Sequence, residues 1–106
     1  MSRSWFAVAG ALLLMAAPAL AGDATLVKVG HNRLEPAQVT VEAGSTVTFL
    51  NEDQMPGGHT LVAEDGSFES PALAQGEEWS HTFEKPGTYS YRIKQHPSAQ
   101  GRIVVE

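Results

Sequence analysis

The chain has 106 residues, twelve acidic against seven basic, a net charge of −5 and no cysteine. Zero cysteine excludes a disulfide framework, a thiolate metal site, an iron–sulfur cluster, a c-type haem attachment and a thiol nucleophile. The acidic balance, with no basic patch, argues against a nucleic-acid partner.

Residues 1–21 read as a secretory signal peptide rather than as fold. Arg3 supplies a positive start, FAVAGALLLMAA an apolar run, and Ala19-Leu20-Ala21 a small-residue cleavage signal. The apolar run is shorter than the ~20 residues of a membrane span, so no stable insertion is expected after cleavage. The expected address is a periplasm or the cell exterior. The leader holds one of the basic residues and none of the acidic ones, so residues 22–106 carry a net charge of −6. That remainder is the size of one small domain, held by packing alone.

Strands follow one another along it. Leu26 to Gly30 is a short strand, and HNRLEP a connection ended by Pro36. Val39 and Val41 alternate with polar neighbours, Ala43-Gly44 turns the chain, and Val47 and Phe49 alternate with Thr46 and Thr48. Pro56-Gly57-Gly58 is a turn, after which His59 opens a strand over HTLVA. Residues 66–76 are a loop anchored by Phe68 and Leu73. Trp79, His81 and Phe83 share one strand face, as do Tyr89, Tyr91 and Ile93. KQHPSAQG is read as a turn, and RIVVE as the closing strand. No segment has a helical period, so the pattern predicts an all-β sandwich or small barrel.

The last twenty residues, GTYSYRIKQHPSAQGRIVVE, resemble the C-terminal ligand loop of the cupredoxins, the small blue copper proteins. The likeness extends over VTVEAGSTVTF, the Asn51 that follows it, HT, DGSF, GEEWSHTF and KPGTYSY, nearly all of residues 22–106. It implies a Greek-key β-sandwich of seven or eight strands, with a metal at one end among the loops. It places His59 and His96 at the two histidine ligand positions. Ile93 stands where the family has its cysteine, and Ala99 where it usually has a methionine.

A type 1 copper site needs a copper–thiolate bond, and Ile93 has no lone pair to offer. Two neutral imidazoles can still hold Cu(I) in near-linear fashion, or Cu(II) with added oxygen or nitrogen ligands. Candidate third ligands are His31, Met55, Glu52, Asp53 and water. His31 reads first as a solvated loop residue, Met55 as a plain loop methionine and His81 as a packed strand histidine. Tyr89, Tyr91 and Trp79 read as core aromatics.

Some enzymes are excluded cheaply. A histidine-brace copper enzyme needs His at the mature N-terminus, where Gly22 is expected. Ser80 and His81 point to opposite faces of a strand, so they cannot form a hydrolase pair. Two readings stand. One is an exported copper-binding protein, not an enzyme, using His59 and His96 for copper carriage or electron transfer with a redox or copper-handling partner. The other is a metal-free β-sandwich in which Ile93 and Ala99 fill a vestigial site.

Overall fold

The computed structural model describes residues 24–106. The signal peptide expected over residues 1–21, with cleavage after Ala21, lies outside the described residues.

Among the described residues there are eight strands: β1 (Ala24–Val29), β2 (Leu34–Glu35), β3 (Gln38–Val41), β4 (Ser45–Asn51), β5 (Leu61–Ala63), β6 (Glu78–Phe83), β7 (Gly87–Ile93) and β8 (His96–Val105). They form two sheets, ordered β2-β1-β4-β6 and β3-β8-β7-β5. The fold is an all-β sandwich, as the strand pattern and the family likeness both implied.

Alternation builds each layer. In β4, Ser45, Val47, Phe49 and Asn51 turn inward. Thr46 and Thr48 turn outward and meet Thr82 and Ser80 of β6 through hydroxyl hydrogen bonds of 2.9 and 2.8 Å. Cross-strand pairs of this kind contribute about 0.2–1 kcal/mol each. From the other sheet, Tyr91, Ile93, Ile103 and Val105 join Val27, Val29, Val47 and Phe49 in one core. Burying a side chain such as Phe49 contributes about 1.5–3 kcal/mol.

The loop between β5 and β6 lies over that core. Phe68 and Leu73 anchor it, both buried. The Phe68 ring sits 6.0 Å from Trp79, 5.2 Å from His81 and 5.6 Å from Phe83, centroid to centroid. His81 is therefore a packed histidine, and its partial burial lowers its pKa.

Three details depart from the sequence reading. The connection after β1 contains β2, which pairs Glu35 with Lys28 and Leu34 with Val29. His59 lies ahead of β5, in a single bridge with Leu73. The stretch read as the turn KQHPSAQG is mostly strand, since β8 starts at His96. Arg92 pairs with Gln100 and Ile93 with His96, so residues 97–99 form an irregularity in β8. That irregularity accommodates Pro97, which has no N–H to give a ladder.

Gly101 faces Tyr91 across the β7–β8 ladder. A Cβ there would lie 2.6 Å from the tyrosine ring, so the ring occupies the space a side chain would need. Gly101→Ala is expected to destabilise the domain by about 1–3 kcal/mol, read as a lower urea midpoint. The buried Tyr91 hydroxyl has no hydrogen-bond partner, and burial raises its pKa. The unfolded chain ionises this phenol first, so stability drops as pH climbs past 10.0. Tyr91→Phe should flatten that alkaline fall in a pH series of chemical denaturation, and a fall of unchanged slope would contradict it.

Candidate metal centre

Asn51 ends β4 fully buried and fixes two loops at once. Its Nδ2 donates to the Leu73 carbonyl at 2.7 Å, and its Oδ1 accepts the Asp53 N–H at 2.9 Å. Leu73 in turn exchanges two backbone hydrogen bonds with His59, at 3.0 and 2.8 Å. The loop carrying Asp53 and the residue His59 are thus tied to the same strand end.

Asp53 is 7 % exposed and joins the histidines. Its Oδ1 accepts the Met55 N–H at 3.0 Å. Its Oδ2 lies 2.7 Å from His59 Nε2 and 3.0 Å from His31 Nδ1. The Met55 N–H and the two imidazoles outweigh burial and hold the carboxyl down to about 2. Asp53 is therefore an acceptor at neutral pH, and both ring nitrogens facing it are donors.

The tautomers follow from the network. With Nε2 of His59 as the donor, the neutral ring keeps its lone pair on Nδ1. That Nδ1 is buried and has no hydrogen-bond partner. Buried polar atoms without a partner are uncommon, and a missing ion is one of their ordinary causes. A carboxylate bonded to the far nitrogen of an imidazole is also how metal-binding histidines are oriented.

His96 opens β8, in the sheet opposite that of Asn51 and the same sheet as β5, which His59 precedes. Gln95 accepts the Thr60 N–H at 2.8 Å and donates to the Thr60 hydroxyl at 3.1 Å. Lys94 N–H reaches the Thr60 carbonyl at 2.8 Å. These bonds fasten the β7–β8 turn to the residue after His59. The His96 ring then lies 5.1 Å from that of His59 and 4.7 Å from that of His31, centroid to centroid. Ser98 donates to Asn32 Oδ1 at 3.0 Å, tying the His96 and His31 loops together.

Of the sequence candidates, His31, Asp53, His59 and His96 are brought together. Glu52 sits instead near Lys28, at 4.0 Å. Met55 is 57 % exposed and supplies its backbone N–H to Asp53. Ile93 is fully buried and Ala99 nearly so. Among the described residues, no group of three or more His, Asp or Glu side chains is arranged to hold a metal. The Asp53 oxygen between His31 and His59 is a hydrogen-bond acceptor in this arrangement.

The sequence profile of the family described as cupredoxin-like domain matches residues 5–105. The chain belongs to the cupredoxin family. It is 32 % identical over 94 residues to amicyanin of Paracoccus denitrificans, covering 86 % of this chain and 72 % of the relative. It is 35 % identical over 114 residues to plastocyanin of Prochlorothrix hollandica, covering 93 % and 85 %. Among solved structures, a purple cupredoxin from Nitrosopumilus maritimus superposes with a TM-score of 0.70 at 26 % identity, covering 77 % of this chain and 99 % of that one. A Cu(I) form of an amicyanin mutant superposes with a TM-score of 0.68 at 32 % identity, covering 78 % and 82 %.

This cupredoxin does not fit a thiolate site. No residue of the 106 is a cysteine, and the position implied for it holds a buried isoleucine. The candidate donors that remain are two imidazoles, His96 at the start of β8 and His59 just ahead of β5 in the same sheet, the latter with a buried, unpartnered Nδ1. Sequence reasoning missed the positioning parts, Asn51 and Gln95. It named Asp53 only as a possible ligand. Its N–E–D run after a strand was the available signal for a side chain folding back on the loop.

Asp53 sets an acid limit on this arrangement. Its depressed pKa contributes stability that is present above the unfolded value of 3.8 and is lost as pH falls toward about 2. Asp53→Asn should lower stability at neutral pH and make the acid limb of a circular-dichroism pH titration shallower. An acid limb identical to wild type would contradict that assignment.

Proposed function

We propose that this protein is an exported copper carrier that holds the metal through His59 Nδ1 and His96, without a thiolate. The observation that carries the reading is the buried, unpartnered Nδ1 of His59, beside the His96 ring and braced through Nε2 by Asp53. Two neutral imidazoles favour Cu(I), which accepts low coordination numbers. Copper bound there supplies a one-electron couple. Electron transfer is the lesser role, because a blue-copper site draws its tuned potential from the thiolate that this chain lacks. The residues themselves do three things. Asp53 holds the His59 tautomer, Asn51 holds Asp53, and Ile93 with Ala99 keeps water from the inner side.

Export rests on the leader-like residues 1–21, and a copper-handling or redox protein in the same compartment is the natural partner. A carrier needs no catalytic group, and the protein is read as a non-enzyme.

A second reading has its own support. The Asp53 bonds to His31 and His59 pair most of the cluster without an ion, and Ile93 and Ala99 pack the space near it. On that reading the domain is a metal-free sandwich used for protein contacts, since a fold does not fix its function.

Titration of the purified domain, residues 22–106, with Cu(I) against a competing chelator separates the two. One equivalent should bind, with no intense blue band on oxidation. Excess metal at 100 times the Kd should stabilise the fold by about 2.7 kcal/mol. His59→Ala and His96→Ala should each remove most of that affinity, and affinity should fall in acid as imidazoles protonate. Absence of binding by the wild type would favour the metal-free reading.

A further inference from the structure

The three imidazoles at this end of the sandwich differ in one respect that two-ligand binding leaves unused. They form a graded series from solvent to core. The His31 side chain is 58 % exposed, His96 is half-buried, and the His59 side chain is 5 % exposed. Their rings follow one another at 4.7 and 5.1 Å, from His31 to His96 to His59.

His31 is also presented in one chemical state. Its Nδ1 donates to Asp53, so the neutral ring carries its lone pair on Nε2. The hydrogen bond and the packing on His96 restrain the ring, while the Ser98–Asn32 bond restrains its loop. A surface histidine with no task would not need three restraints, each of which costs side-chain freedom. The hollow beside it is lined by Glu35, Glu52 and Asp53 but also by Lys28 and Arg33. Three carboxylates face two cations there, a small net charge, so the soft imidazole nitrogen rather than a strong field selects what approaches.

Resting on the copper-carrier reading, we infer that His31 is the capture residue through which copper is loaded. His31 Nε2 takes a Cu(I) ion from its donor by ligand exchange. His96 then replaces the donor's last ligand, and His59 Nδ1 replaces His31. Each step forms one nitrogen–metal bond as another metal–ligand bond breaks. No electron or proton is transferred to or from the ion, and the donor's ligands leave as they came. The benefit is kinetic. Once His31 holds the ion, attack by His96 is intramolecular, at the high effective concentration that a neighbouring group provides. Direct capture by His59 would require the donor to reach a buried atom. Asp53 joins both ends of the route, bonding to the residue where the ion arrives and to the residue where it stays.

The test is stopped-flow transfer of Cu(I) from a chelator of known affinity to the wild type, His31→Gln and His31→Ala. Glutamine keeps an N–H donor for Asp53 and removes the imidazole. Both variants should load about tenfold more slowly or worse, with equilibrium affinity unchanged, and His31→Gln should also keep the wild-type unfolding temperature. X-ray absorption of the loaded protein should show the same nitrogen count with and without His31. Loading at the wild-type rate overturns the capture role while leaving the carrier intact. A loss of affinity with one fewer nitrogen around copper also overturns it, because His31 would then be a permanent ligand. A wild type that takes up no copper overturns the carrier reading and this one with it.

Discussion

One buried carboxylate organises the histidine end of this sandwich. Asp53 accepts from the backbone at Met55 and from rings at His31 and His59. Three donors on one nearly buried carboxylate keep it charged, and a charged carboxylate can only accept. That single constraint assigns the tautomers of two histidines and leaves the inner nitrogen of one of them unpaired. Asn51 positions the carboxylate by gripping its backbone, and does so from the end of a core strand. The chemistry of the loops is therefore set by a rigid element beneath them.

The opposite sheet completes the arrangement by a different device. β7 and β8 run as a regular ladder from Gly87 to Arg92, then break register so that His96 comes opposite Ile93. Below the break, Tyr91 lies over Gly101, and above it Gln95 clasps Thr60 beside His59. The segments carrying His59 and His96, both on the sheet opposite Asn51, thus meet through the bonds of Lys94 and Gln95 to Thr60. Ile93 closes the inner side with apolar bulk, where the family has its sulfur donor. On the proposed reading, a frame that elsewhere in the family holds a thiolate site keeps an apolar wall and two nitrogens, a set suited to binding and release of a soft ion more than to fast electron exchange.

Much of this was legible in the sequence because strand faces obey a period of two. The inward placing of Val47, Phe49, Tyr91 and Ile93 follows from alternation alone, and Phe68 and Leu73 could be picked as loop anchors by their isolation among polar residues. The meeting of His59 and His96 came from the family likeness, since residues 37 apart, each at the start of a different segment, leave no periodic trace. Three things were hidden. β2 is too short for a pattern, the irregularity at residues 97–99 looks like a turn because it contains Pro97, and the role of Asp53 depends on partners far along the chain. His31 read first as a solvated loop residue for the same reason, and as a candidate third ligand only through the family likeness. Its partners, Asp53 and His96, are distant in sequence and adjacent only after the sheets close.

The most direct measurement is the nitrogen-15 shift of each imidazole in the metal-free protein at neutral pH, followed during addition of Cu(I). His59 should show a protonated Nε2 and an unprotonated, pyridine-like Nδ1, and the Nδ1 resonance should be the one that moves on binding. A His59 ring with its proton on Nδ1, or an Nδ1 resonance indifferent to copper, would contradict the Asp53-braced copper site at its root.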